Sequence, residues 1–462
     1  MKFVDRSSER ELLQNLLTAR PPQFVRVAGR RRVGKTALLR EILPTTGALY
    51  LVADPGEREV QLRALWSQLA LATRRPVPPD PTWEGFLDEL ERSGARSVIL
   101  DEFQNLIGRD LHVAGQVQRR WEARWHEQGP HLVVSGSSVG MMQALSRYRS
   151  GPFYGRLTRD LHLHPFSYAA VRLLYPELKE PERVVRFAIF GRTPYYHQQS
   201  VGRSREEALR ASMLEPGLPL LDEPQGLLAE ETREPTRYHS ILSEVARGGR
   251  SVRELESRLG VASGGLAPYL RLLSGDLDLL EAETPICGLS KRTRYQVHDP
   301  FFRFYYRFIV PLRASIDSGH GREAWAQVRG ELDGYVGKVF EDVAREALRE
   351  APREGRFAGV PRFTEVGRWW NRVGEEIDLV GRSAKEIWAG EVTWSQRPVS
   401  EADVRGLRRK VLLLERTDHL PVRPFWVARG PVAPGAEELL AQEGGKVFAL
   451  TDLEAGFDRL RP

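Results

Sequence analysis

One run of eight residues carries the plainest chemistry in this chain: Gly29-Arg30-Arg31-Arg32-Val33-Gly34-Lys35-Thr36, which fits G-x-x-x-x-G-K-[ST] at every fixed position. Glycine at 29 and 34 lets the backbone curl, so that its N–H groups and the N-terminus of the helix behind them face an anion. Lys35 then reaches the β- and γ-phosphates of a nucleoside triphosphate, the Thr36 hydroxyl binds Mg²⁺, and Ala37 continues into the helix. A second group, Ser97-Val98-Ile99-Leu100-Asp101-Glu102, ends an apolar run in two carboxylates. At the carboxyl end of a buried strand, Asp101 is placed to hold the Mg²⁺ shell and Glu102 to polarise an attacking water. A third set lies far downstream, with Glu341 on an amphipathic helical pattern and Asp378 and Glu391 on neighbouring β-prone runs. One helix carboxylate and two strand carboxylates can gather Mg²⁺ or Mn²⁺ beside a phosphodiester.

Positioning these groups takes particular elements. Residues 24–28, 48–53, 97–100, 131–134 and 157–163 are short β-prone runs, separated by amphipathic stretches that include 36–42, 59–72 and 114–126. Strand–helix alternation predicts a parallel sheet covered by helices. The phosphate loop follows the first run directly, and Pro44 is expected to close the helix behind it. Beyond about residue 200 the pattern turns to short helices at 237–246, 251–259 and 263–273, then a β-prone stretch holding Pro285 and Gly288. That layout is a winged helix, with Gly260 at the turn. Its would-be reading helix, begun at Ala262, offers almost no Arg, Lys, Asn or Gln before Arg271, which argues against base-specific readout. Its wing carries Lys291, Arg292 and Arg294, suited to salt-sensitive phosphate contact. The module therefore reads either as a nucleic-acid contact or as a lid and protein-contact element. An aromatic run at 301–312 is expected to end near Pro311, and residues 318–321 link to a further α/β unit.

Together these segments resemble the AAA+/STAND-type P-loop NTPases and, within them, the prokaryotic archaeal-type ATPase family. Phe3-Val4-Asp5-Arg6 with Glu9 resembles the N-terminal box near the adenine, and Ser135-Gly136-Ser137-Ser138 the sensor-1 segment. Tyr154-Gly155-Arg156 followed by His164-Pro165-Phe166 resembles the family's YGR…PF stretch. Gly191-Arg192-Thr193-Pro194 resembles its GGxP segment, with Arg192 where a second glycine is expected. His298-Asp299-Pro300-Phe301-Phe302-Arg303-Phe304-Tyr305-Tyr306 resembles the box that follows the family's winged helix. The resemblance implies that Pro194 contacts the nucleotide from the lid side and that Arg156 is a sensor or finger arginine. A plain surface ion pair is the alternative for Arg156.

The C-terminal part resembles a restriction-endonuclease-like, PD-(D/E)xK-related domain of unknown function, with Glu341, Asp378 and Glu391 at its acidic positions. Thr393 stands where that domain's lysine is expected, and Lys410 on the next helical run could project a replacement ammonium. An active nuclease and a fold kept for binding or assembly both remain open.

With 462 residues the chain has room for about three domains. Its 41% hydrophobic and 28% charged residues exclude a disordered chain. The net charge of +6, carried by 60 Arg and eight Lys against 62 acidic residues, is too dispersed to establish nucleic-acid binding. A single cysteine, Cys287, excludes an internal disulfide and a four-cysteine zinc site. His162 and His164 form the only tight histidine pair, a weak metal signal on a strand. A charged N-terminus and the lack of a long apolar run predict a cytoplasmic location and no membrane partner.

The expected fold is α/β and multidomain. A P-loop NTPase parallel sheet takes residues 1–200, a helical lid and winged helix 201–317, and a restriction-endonuclease-like α/β domain 318–462. The expected function is a Mg²⁺-dependent, ATP-binding and ATP-hydrolysing switch coupled to the winged-helix and nuclease-like modules. Candidate partners are DNA or RNA bound without sequence preference, a protein, or a second copy of the chain. The alternatives are an ATP-gated metal-dependent nuclease and a non-hydrolysing, nucleotide-bound scaffold.

Overall fold

The computed structural model describes residues 3–107, 111–147, 149–287, 292–350 and 360–458; Gly288 and Lys291 lie outside the described residues. The chain divides into two compact units, Met1–Pro165 and Phe166–Pro462. Among the described residues no helix is long and apolar enough to cross a membrane.

The first unit is built on five strands: β1 (Phe24–Ala28), β2 (Leu49–Val52), β3 (Ser97–Asp101), β4 (His131–Gly136) and β5 (Arg159–His162). They lie in the order β2-β3-β4-β1-β5, and every pairing is parallel. Both faces of the sheet are covered, which is why its strands read as near-continuous apolar runs. The two-residue period divides each strand between two cores. Phe24, Val98, Leu100, Leu132 and Val134 pack into one, while Val25, Val27, Ile99 and Val133 pack into the other. The strand ends at Ala28, Asp101 and Gly136 thereby converge on one edge.

The helix behind the phosphate loop runs Lys35–Thr46, past Pro44, and ends where Gly47 turns left-handed (φ 59°) and donates to Leu43 O at 2.9 Å. Pro44 does not close it: the helix forgoes the one bond that a Pro44 N–H would have made to Arg40 and continues until Gly47 makes the stop.

In the second unit the helices Pro235–Ala246, Val252–Leu259 and Ala267–Arg271 precede an antiparallel hairpin, β6 (Leu280–Glu283) and β7 (Arg294–Val297). Ser251 and Glu254 form a capping box that starts the middle helix, and Gly260 (φ 61°) ends it. The aromatic segment continues past Pro311, as Pro300–Phe304, a π-helical turn at Tyr305–Ile309, and then Val310–Asp317. A π-helical turn rearranges the ladder directly ahead of the proline, so Pro311 does not end the helix. Helix Gly321–Glu350 then leads into a mixed sheet of β8 (Glu365–Trp370), β9 (Glu376–Arg382), β10 (Ile387–Thr393), β11 (Val422–Ala428) and β12 (Lys446–Ala449). The order is β12-β11-β10-β9-β8, antiparallel among β8, β9 and β10 and parallel from β10 to β12. Helices Glu401–Glu415 and Pro434–Gln442 make the parallel crossovers, and Val404, Leu407, Val411 and Leu440 seal one face of the sheet.

Candidate functional site

The phosphate loop bridges the end of β1 and the helix at Lys35. A Cβ at Gly29 would stand 2.5 Å from the Leu163 carbonyl oxygen, so only glycine lets the loop pass that backbone. Gly34 (φ 102°) has open space around it and is needed for its conformation instead. Arg30 and Val33 are buried, Arg31 and Arg32 are half-buried, and Ala37 is exposed. The buried Lys35 ammonium donates to the carbonyls of Gly29 (2.8 Å) and Arg30 (3.2 Å), which holds it inside its own loop.

Thr36 Oγ1 donates to Asp101 Oδ2 at 2.9 Å, joining the two motifs across 65 positions of sequence. Tyr50, on β2, donates from its hydroxyl to the same oxygen at 2.5 Å, and Asp101 is fully buried. Burial, and then the Asp101 carboxylate, push the Tyr50 phenol well above its ordinary range. Tyr50 escaped the sequence reading because its approach to Asp101 depends on register: Val52 pairs with Asp101, and Tyr50 shares its face of β2. Glu102 (φ 54°) turns away from the strand, and its Oε2 accepts from Ser137 Oγ at 2.7 Å and from Gln104 Nε2. Ser137 N in turn donates to Gln104 Oε1 at 3.2 Å, so the segment after β4 and the residues after β3 hold this carboxylate jointly.

Other expected residues fall in different places. Arg6 donates to the carbonyl of Val33 at 3.3 Å and to that of His164, and pairs with Glu9 at 3.0 Å, which ties the N-terminal box to the phosphate loop. Arg156 pairs with Glu122 and donates to Tyr154 O at 2.7 Å. Its hydrogen bond holds the Glu122 carboxyl below the usual range. These partners are those of the surface ion pair named as its alternative role.

Gly191 to Pro194 belong to the second unit, where Pro194 opens a short 3₁₀ turn, Pro194–Gln199. Gly191 (φ 68°) could carry no side chain, because a Cβ would sit 2.1 Å from Asp299 Oδ1. Arg192, standing in for the second glycine, donates to Phe166 O at 2.9 Å and faces His298. The Gly191 and His298 segments thus pack on one another.

The downstream carboxylates are held by cations. Glu341 accepts from Lys338 and from Arg368, each at 2.8 Å. Glu391 accepts from Lys410 at 2.7 Å, so this lysine does project toward the acidic residues. Asp378 accepts from Val392 N at 3.2 Å. Burial, followed by the Asp378 charge, pushes Glu341 up to about 7. Burial, followed by Glu391, pushes Asp378 up to about 7 as well. Thr393 Oγ1 accepts from Trp426 Nε1 at 2.9 Å and takes a packing role.

Among the described residues no group of three or more His, Cys, Asp or Glu side chains is arranged to hold a metal ion. Cations sit on two of the three expected carboxylates, Lys338 and Arg368 on Glu341 and Lys410 on Glu391.

The hairpin is likewise engaged inside the unit. Ile286 N donates to Arg368 O at 2.9 Å, Arg294 pairs with Glu376 at 3.4 Å, and the Arg294 guanidinium stacks 4.8 Å over the Trp370 ring. Arg294 meets protein here, which favours the protein-contact reading of the wing over the phosphate-contact one.

A family described as archaea bacterial proteins of unknown function, DUF234, matches residues 305–407. An uncharacterised protein of Methanocaldococcus jannaschii is 30% identical over 412 residues, covering 88% of this chain and 90% of that protein. A Walker-type ATPase of Pyrococcus abyssi superposes with a TM-score of 0.51 at 20% identity, covering 66% of this chain and 96% of its own. The ORC2 protein of Aeropyrum pernix gives 0.43 at 16% identity, covering 68% and 94%. The likeness to the Pyrococcus protein extends to fold, a P-loop ATPase sheet with a separate C-terminal mixed sheet in the chain described here.

Proposed function

This chain belongs to the archaeal-type ATPase family with a C-terminal DUF234 domain, and on that premise we propose that it is a Mg²⁺-dependent ATPase whose nucleotide state switches its second unit. The observation that carries the reading is the Thr36–Asp101 hydrogen bond at 2.9 Å, directly beside the Lys35 loop. It puts a hydroxyl and a carboxylate at the edge of a parallel sheet where such folds collect their ligands. The residues fit a Mg²⁺–triphosphate on two counts. Lys35 lies inside the loop that Gly29 lets pass the Leu163 backbone, and Thr36 with Asp101 offers the hard oxygen atoms this ion prefers. Mg²⁺ needs only one or two protein groups when phosphates and water complete its shell, and it supplies charge neutralisation on the phosphate oxygens.

The chain's own groups do the rest. Lys35 exchanges its loop carbonyls for phosphate oxygens, and the loop backbone holds the triphosphate in line. Glu102 orients the attacking water and takes up its proton at a carboxylate oxygen, while Ser137 and Gln104 fix where that carboxylate points. The test is phosphate release with MgATP from wild type, Lys35→Ala and Glu102→Gln. Both variants are expected to lose turnover, with Glu102→Gln keeping its ATP affinity. Equal release from all three proteins would remove the proposal.

A further inference from the structure

The sheet of the first unit carries a cleft of about 420 Å³ at its amino edge, the far end of the strands from the phosphate loop. Arg20, Arg96 and His131 line it, together with Glu91 and Gln128. The three basic residues come from three segments: Arg20 follows the Ser7–Thr18 helix, Arg96 directly precedes β3, and His131 opens β4. Strand register brings two of them side by side, since Ser97 pairs with His131 and His131 N donates to Arg96 O at 2.9 Å. β1 is five residues long, so roughly 16 Å of strand, at about 3.3 Å per residue, separates this edge from the loop.

Among the described residues neither Arg20 nor Arg96 makes an ion pair; Arg96 donates to the neutral carbonyl of Thr18. Glu91, the carboxylate on the wall, is paired with Arg120 at 3.6 Å and with Arg124. Two guanidinium charges therefore stand at the cleft without a counter-charge. His131 adds a buried donor. It is 2% exposed, and Gln23 N donates to its Nδ1 at 3.0 Å, so the neutral ring carries its proton on Nε2. Nε2 keeps accessible surface on the cleft wall and has no hydrogen-bond partner among the described residues. Burial, then Arg96 and Arg20, hold the imidazole below its usual range, which keeps it neutral.

A buried N–H is almost always satisfied, and the acceptor missing here would sit beside two unpaired guanidinium groups. A phosphoryl group carries about −1.5 to −2 charge at neutral pH and three acceptor oxygens, which suits two guanidinium forks and one N–H. A carboxylate brings a single charge and two oxygens. We propose that this cleft binds a phosphoryl group, as inorganic phosphate or as a small phosphomonoester, through Arg20, Arg96 and the His131 Nε2–H. The site is separate from the phosphate loop and does not depend on ATP hydrolysis there.

The experiment uses the full chain carrying Lys35→Ala, which removes the lysine of the phosphate loop from competition. Titration calorimetry is run with inorganic phosphate, with ribose 5-phosphate and with acetate. Saturable binding of either phosphate compound that weakens in the cleft variants supports the site, and the tighter of the two identifies the free ion or the ester. Arg20→Gln and Arg96→Gln are each expected to weaken it about tenfold. His131→Gln and His131→Phe both lose the acceptor for Gln23 N, but only glutamine can present an N–H near the Nε2 position. His131→Phe is therefore expected to bind several-fold more weakly than His131→Gln, and thermal melting checks that each variant is folded. Failure of both phosphate compounds to saturate would overturn the proposal. So would acetate binding as tightly as phosphate, or affinity that Arg20→Gln, Arg96→Gln and His131→Phe leave unchanged in folded protein.

Discussion

The chain builds two acidic sites in opposite ways. In the first unit Asp101 and Glu102 are surrounded by neutral donors: Thr36 and Tyr50 on one, Gln104 and Ser137 on the other. In the second unit Glu341 meets Lys338 and Arg368, and Glu391 meets Lys410. A carboxylate held by hydroxyls and amides keeps its charge for an incoming cation. One held by ammonium or guanidinium groups has already spent it, and removing a single partner strands a buried charge. The first arrangement suits the ion-binding role proposed for Asp101; in the second, cations already sit on Glu341 and Glu391.

Four perturbations press on that contrast. The largest effect belongs to Lys35→Ala, expected to cut ATP turnover by about a hundredfold or more in a phosphate-release assay, with little change in melting temperature. Full activity in this variant would erase the distinction. Next comes Arg368→Ala, which leaves Glu341, Glu283 and Asp342 short of a shared partner. Chemical denaturation should register a loss of about 3–5 kcal/mol in the second unit, and a value near zero would mean that the web is not internally balanced.

Third is pH. Asp378 titrates near 7 in the folded chain against an ordinary 3.8, so the native state favours its protonated form. That contribution is fully present below about pH 4 and is lost as pH rises through about 7. Asp378→Asn fixes the neutral state. It should match wild type near pH 4 and exceed it in urea unfolding at pH 8; a constant difference across that range would contradict the burial argument. The smallest effect is expected from Tyr50→Phe, which removes one of the two hydroxyl donors to the Asp101 carboxylate and leaves Thr36 in place. It should show as a shift of several-fold in the Mg²⁺ dependence of turnover, and an effect as large as that of Lys35→Ala would make Tyr50 an essential group.

What could be read from sequence follows the same divide. The phosphate loop and the Asp101–Glu102 strand end are contiguous motifs whose geometry is set by neighbouring residues, and β1 to β5 lie where the apolar runs put them. Tyr50 was hidden because its contact depends on strand register. In the second unit Glu341, Asp378 and Glu391 were visible, but Arg303, Arg345 and Arg368 were not. Each comes from a different element, and nothing local distinguishes them from the other arginines among 60. The two prolines misled for a shared reason: Pro44 and Pro311 both sit where the helix could absorb one missing N–H.

One element spans more of the second unit than any single motif suggested. Helix Gly321–Glu350 is 30 residues without a break, a rod about 45 Å long. Its Tyr335 hydroxyl is pinned to the carbonyls of Ala188 (2.9 Å) and Pro300 (2.7 Å), and within about three turns further on the same rod carries Glu341 and Arg345. An unbroken helix is stiff along its length, so the Tyr335 anchor and the acidic web are held at a fixed separation by one element.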